Sequence, residues 1–350
     1  MLFITNRALE QSHRSRSGRK VSFDMDNNEP QASVFFCETG KNQMTEVMSE
    51  GLLERLRTSK CEEILVYIHG FNNTPESAFA AAKQLQDQAD AHDTKGRLLV
   101  LPMIWPNGAK PGIIRDYYDD QDRADGSAIG YARILAKFLA WREQHQDDAA
   151  CLKRVSLLAH SMGNRVATKT LQRWRERENF LPRVFRNVFL VASDIENEAL
   201  ERGEVGHALV DAARTVTVYF ADDDLALRAS KVANIRNQQL TRRLGHTGPE
   251  DMNRTPSHVF AVDCNDINRE TDKSGHNYFA GTAFTHMLFT IKTGRVDLND
   301  GFVVPDNHPR SVRLLANYPQ TLDNADTGAT ERQKLAPTTR RTRRSSSRRA

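Results

Sequence analysis

The feature that most constrains this chain is the stretch over residues 154–170, RVSLLAHSMGNRVATKT. Val155, Ser156, Leu157, Leu158 and Ala159 are mostly apolar and include β-formers, so they read as a short buried strand. From Asn164 onward the chain continues without proline and reads as a helix. His160-Ser161-Met162-Gly163 must therefore turn sharply between the two. A strand that delivers a serine into a tight turn opening a helix has the geometry of a nucleophile elbow. Such a turn exposes a weak nucleophile and sets backbone N–H groups and a helix N-terminus beside it. The usual pattern is Gly-x-Ser-x-Gly, and Ala159 stands at its first position as the smallest replacement. The plainer alternative is a serine that only caps a helix.

The chain around this stretch alternates strands and helices. Residues 2–5 suggest a strand, residues 10–31 a polar loop, residues 34–37 a second strand and residues 45–57 an amphipathic helix. Residues 64–69 (ILVYIH) form a continuous apolar run of the kind found inside parallel sheets. It ends in His69-Gly70-Phe71-Asn72-Asn73, after which Asn73 or Thr74 caps a helix with Pro75 at its first position. This second strand–glycine–helix unit places N–H groups at the same sheet edge. Backbone donors at Met162 and Phe71 are therefore expected to form an oxyanion hole, with a simple tight turn as the alternative. Residues 98–104 are the next strand, residues 107–126 read as a loop and residues 128–142 as a helix. Further strands are expected at 184–192, 215–220 and 259–262, the last of them, followed by a helix from near Phe279. The expected fold is α/β, with a mostly parallel central sheet covered by helices on both faces. Residues 1–324 read as one domain. Its core lies at about 60–292, and residues 1–60 supply extending strands.

Acyl transfer requires a base for the serine and a carboxylate that orients the base, all from loops at the strands' carboxyl ends. Two carboxylate clusters satisfy this, Asp194 with Glu196 and Asp222-Asp223-Asp224. Among the downstream histidines, His276 follows the last expected strand through a polar loop and is best placed to reach Ser161. His246, in a glycine-containing loop, is the reserve. His258 lies at a strand's start, His286 inside an apolar helix, His207 before the acid strand and His308 near the C-terminal region. His69, His160, Trp105 and Tyr117 are candidate pocket residues.

Composition narrows the remaining classes. No apolar run approaches the roughly 20 residues of a membrane span, and residues 1–20 lack the basic start and apolar core of a secretory signal. Cys37, Cys61, Cys151 and Cys264 are scattered, without zinc spacing or disulfide density, which fits a reduced cytoplasmic protein. The net charge of +4 arises from a tail holding Arg340, Arg341, Arg343, Arg344, Arg348 and Arg349. Residues 325–350 read as a solvated, disordered basic end able to touch anionic surfaces, and nucleic-acid binding is not inferred from it. No cofactor or metal is called for, because no phosphate loop with its lysine and no compact ligand pattern is present. The chain does not fix its oligomeric state.

The segments VYIHGFNN, LLAHSMGNR, VYFADDDLAL and GHNYF together resemble a family of bacterial α/β-hydrolases of esterase- or lipase-like character. The likeness runs from about Ile64 to Phe289 with the segments in the expected order. In that family alanine-histidine commonly precedes the serine, so Ala159 fits it. The resemblance implies an acid at Asp224, with Asp222 and Asp223 as neighbouring alternatives, and a base at His276. It also implies hydrolysis of an ester or acyl small molecule through a Ser161–His276–Asp224 triad. A non-catalytic binding protein on this fold, or thioester, amide, peptide or acyl-transfer chemistry on the same triad, are the alternatives.

Overall fold

A computed structural model describes residues 1–41, 43–93, 96–108, 113–145, 153–227, 242–298 and 308–319. Cys151 and the basic tail lie outside them. The described strands are β1 (Leu2–Thr5), β2 (Lys20–Val21), β3 (Phe35–Thr39), β4 (Met44–Glu46), β5 (Glu63–Ile68), β6 (Leu98–Ile104), β7 (Arg154–His160), β8 (Phe185–Val191), β9 (Ala213–Phe220), β10 (Val259–Asp263) and β11 (Ser311–Arg313). They form one sheet in the order β11-β10-β9-β8-β7-β5-β6-β1-β3-β4-β2. Every pairing from β11 across to β1 is parallel, and the pairs beyond β1 are antiparallel.

The helices are α1 (Met48–Thr58), α2 (Pro75–His92), α3 (Ile113–Gln144), α4 (Gly163–Glu178), α5 (His207–Asp211), α6 (Leu244–Thr247) and α7 (Thr282–Thr293). They cover both faces of the parallel part, and the period-two alternation of the strands decides which residues meet which layer. Ile64, Ile68, Leu157, Val188 and Val216 pack with α1, α3 and α4 on one face. Leu65, Tyr67, Leu158, Phe189 and Tyr219 pack with α2 and α7 on the other. Each such fully buried side chain contributes about 1.5–3 kcal/mol of transfer free energy. Among the described residues no helix is long and apolar enough to cross a membrane.

Several boundaries differ from the sequence expectation, each for a non-local reason. Helix α3 begins at Ile113 and runs through the stretch read as loop, residues 107–126. Its internal glycines allow close packing. A Cβ at Gly126 would lie 2.7 Å from Pro30 Cγ, and one at Gly130 2.9 Å from Val34 Cγ2. Thr45 and Glu46, expected within a helix, instead pair with β3, and Glu46 turns its carboxylate onto Arg19 at 2.6 Å. The region 10–31 contributes β2, and β11 joins β10 beyond the strand expected to be last. At α2 the cap is Thr74, whose hydroxyl accepts from Ser77 N–H, with Pro75 next.

Candidate active site

The carboxyl ends of β5, β7 and β9 gather the residues singled out above. At the end of β7 the chain enters the left-handed region at Ser161, with φ 52°. That conformation is costly for a non-glycine residue and persists only where the surroundings dictate it. Here they do. Ser161 N–H donates to Val191 O at 2.9 Å. The Asn164 amide donates to Ala159 O at 3.0 Å and to Ser161 O at 2.9 Å, clamping both sides of the turn. Gly163 lets α4 approach β5, since a Cβ there would lie 2.5 Å from Ile68 O and 2.7 Å from His69 O. Gly70 lies just as close, where a Cβ would fall 2.8 Å from Ser161 Cβ. The position held by Ala159 is fully buried among apolar neighbours and has room for its methyl.

The His276 imidazole donates from Nδ1 to Asp224 Oδ2 at 2.7 Å. Asp224 is fully buried, and its Oδ1 accepts the backbone N–H groups of Ala226 at 2.9 Å and Leu227 at 3.0 Å. These bonds fix which oxygen faces the histidine. The adjoining carboxylates point elsewhere. Asp222 is exposed, and Asp223 pairs with Arg269 at 2.8 Å and accepts from Asn268, whose amide reaches Gly275 O. His246, the reserve base, lies in α6. That short helix is wedged against the end of β8, where a Cβ on Gly245 would fall 2.0 Å from Ser193 N. His276, not His246, meets Asp224. Asp194 accepts from Tyr117 Oη at 2.6 Å and faces Arg243 at 3.3 Å.

His160 lies against His276 with ring centroids 4.9 Å apart, and its Nε2–H donates to His276 O at 3.1 Å. Burial, then the neighbouring His276, hold its pKa well below the ordinary histidine value, so the ring is neutral. Among the described residues no hydrogen bond joins the Ser161 hydroxyl to His276. Such contacts commonly tighten only once substrate is bound.

His69 and Trp105 correct the expectation that they face a pocket. Both are buried beneath the loop after β5, with their rings stacked 5.4 Å apart. Trp105 N–H donates to His69 Nε2 at 3.2 Å, which leaves His69 Nδ1–H to donate to Gly70 O at 3.0 Å. Asn107 donates to the same Gly70 oxygen at 3.2 Å and accepts from Asn73 N–H at 3.0 Å. The loop carrying Phe71 is thus tied from below. Among the described residues the N–H groups of Phe71 and Met162 donate to no partner. Phe71, Tyr117 and Tyr118 form a chain of edge-on rings beside this loop. The clamps at Asn73, Asn107 and Asn164 were not found in the sequence, because asparagine in a turn is common and their partners lie on other elements.

The buried neutral His69 carries a pH signature. Burial lowers its pKa from 6.5 to about 4. Between those values the unfolded chain binds the proton and the folded chain does not, so stability falls as pH drops through that window. The full loss for one such group is about 3 kcal/mol. Thermal melts at pH 7 and pH 5 should show a lower Tm at pH 5, with a smaller drop in His69→Gln. Equal drops in the two proteins would remove His69 as the source.

The profile of the family described as alpha/beta hydrolase of unknown function (DUF900) matches residues 45–290. The chain belongs to this family. The matched region runs from β4 through most of α7 and so contains the whole constellation around Ser161. No curated protein matches the DUF900 chain. Among solved structures, a Pyrobaculum calidifontis esterase is 12% identical, with a TM-score of 0.32 and coverage of 68% of this chain and 78% of that one. A putative cell surface hydrolase from Lactobacillus plantarum is 10% identical, with a TM-score of 0.31 and coverage of 67% and 91%. The phospholipase PlaB from Legionella pneumophila, in complex with thio-NAD, is 12% identical, with a TM-score of 0.23 and coverage of 63% and 42%.

Proposed function

We propose that this DUF900 hydrolase is a serine carboxylic-ester hydrolase that works through a covalent acyl-enzyme. The observation carrying the reading is the 2.7 Å contact of His276 Nδ1 with a fully buried, doubly capped Asp224, at the sheet edge where Ser161 is held in the left-handed region. With Nδ1–H committed to Asp224, Nε2 is left as the acceptor for the serine proton. Ser161 Oγ then attacks the ester carbonyl, and His276 takes its proton and passes it to the leaving alcohol. The N–H groups of Met162 and Phe71 are free to receive the oxyanion, and α4 adds its N-terminal dipole. A water activated by the same imidazole releases the acid and restores the serine. Ester rather than amide cleavage is proposed by analogy of fold.

A fluorophosphonate probe followed by intact-protein mass measurement tests this reading. One adduct is expected on the wild type and none on Ser161→Ala or His276→Ala. A folded wild type that takes no adduct, or a Ser161→Ala protein that still does, would defeat it.

A further inference from the structure

Ser161 lies at the carboxyl ends of the strands, and the opposite edge of the same sheet carries a different chemistry. A cleft of about 520 Å³ opens there beside the starts of β7, β8 and β9. Of the nine described residues that line it six are cationic and none is acidic: Arg142, Lys153, Arg154, Arg183, Arg186 and Arg214. Among the described residues Glu63 and Glu62 offset part of this charge. Buried Glu63 is shared by Arg154 and by Arg186, the latter at 3.5 Å, and Glu62 lies 3.6 Å from Arg154. Lys153 Nζ rests on the carbonyls of Ser59 and Cys61, which accept its hydrogen bonds without neutralising it. Among the described residues Arg183 and Arg214 enter no ion pair.

The strand register concentrates the charge. Phe185 pairs with Ala213 and Asn187 with Thr215, so Arg186 and Arg214 stand at the same level on neighbouring strands. Like charges so placed repel, and Arg186 also keeps its Nε buried without a hydrogen-bond partner. Burial first, then Arg154 and Arg214, lower the Arg186 pKa while Glu63 opposes them, which is the direction expected of a cation short of counter-charge. A fold carries such repulsion at a cost unless an anion relieves it.

The shape of the site selects the kind of anion. Its volume falls within the roughly 300–1,000 Å³ of small-molecule sites, and concave walls of one sign focus the potential inward. Guanidinium groups match phosphate oxygens bidentately. Among the described residues the lining has no aromatic row on which the bases of a nucleic-acid strand would stack. We propose that this cleft binds a small anion bearing two or three phosphate groups, at a site separate from Ser161 and independent of how Ser161 functions.

Calorimetric titration of the full chain with inorganic tripolyphosphate is the test, run on three proteins. These are the wild type, Arg183→Ser/Arg214→Ser, and a variant with Arg340, Arg341, Arg343, Arg344, Arg348 and Arg349 all changed to Ser. One-to-one binding is expected in the wild type, weaker by about tenfold or more in the cleft variant and unchanged in the tail variant. Raising salt from about 50 to about 200 mM should weaken it in the first and third proteins, because salt screens the attraction between the polyphosphate and the cleft arginines. Arg183 and Arg214 are exposed, so the cleft variant should melt like the wild type, and Arg183→Lys/Arg214→Lys should recover part of the affinity. Absence of binding to the wild type would overturn the proposal, as would binding lost only with the tail arginines. Cleft-dependent binding to phosphatidylserine vesicles that tripolyphosphate fails to displace would overturn it in favour of a membrane surface.

Discussion

Asp224→Asn is expected to lower kcat for a carboxylic ester about 10⁴-fold, with KM little changed. The carboxylate presents Oδ1 to the N–H groups of Ala226 and Leu227 and Oδ2 to His276 Nδ1–H. An asparagine has one oxygen and one NH2. Leaving the buried Leu227 N–H without an acceptor costs about 1–3 kcal/mol, so the oxygen stays on Ala226 and Leu227. The NH2 then faces Nδ1, which must become the acceptor and drive the imidazole proton to Nε2. That tautomer cannot take a proton from Ser161. The fold should survive, because the side chain keeps its shape and its backbone caps. Steady-state kinetics on an activated ester, with a thermal melt as control, would measure it. A loss below about tenfold would move the acid role away from Asp224.

Gly163→Ala should lower stability by about 3 kcal/mol or more. Its Cβ would stand 2.5 Å from Ile68 O and 2.7 Å from His69 O. Both are backbone atoms at the end of a strand paired on both sides, with β6 and β7, so neither can yield cheaply. The helix must then back away from the sheet and take the serine turn with it, so activity and Tm should fall together. Each kcal/mol corresponds to about 2–4 °C in a domain of some 150–250 residues. The contrast is Gly51→Ala within α1, where the nearest atom to a new Cβ is 3.6 Å away. Relief of the helical glycine penalty should stabilise that variant by up to about 1 kcal/mol. Calorimetric melts of both proteins decide the matter. A Gly163→Ala protein that melts with the wild type would show that the elbow tolerates a methyl group.

The parallel sheet was readable because its strands are continuous apolar runs, and a run such as ILVYIH has few other stable environments. The elbow was readable for a related reason: a strand, one small turn and a helix fit within one short segment. The start of α3 was not readable. Gly126 resembles loop punctuation until Pro30 is seen pressed against it. β11 was missed because three residues carry no periodicity of their own, and only the exposed edge of β10 gives them a partner.

Local sequence determined the strand–turn–helix units, the parallel sheet they compose and the edge to which Ser161 and Phe71 are delivered, because hydrophobic period and turn chemistry act over a few residues. Tertiary structure turned the carboxylate of Asp224, the acid the resemblance implied, rather than those of its two neighbours toward His276, and it decided that His69 and Trp105 lie beneath the loop instead of lining a pocket. It also decided that arginines from several elements converge on one cleft. Side-chain direction at a strand end and charge density at a sheet edge arise from residues tens of positions apart, and no local pattern encodes them.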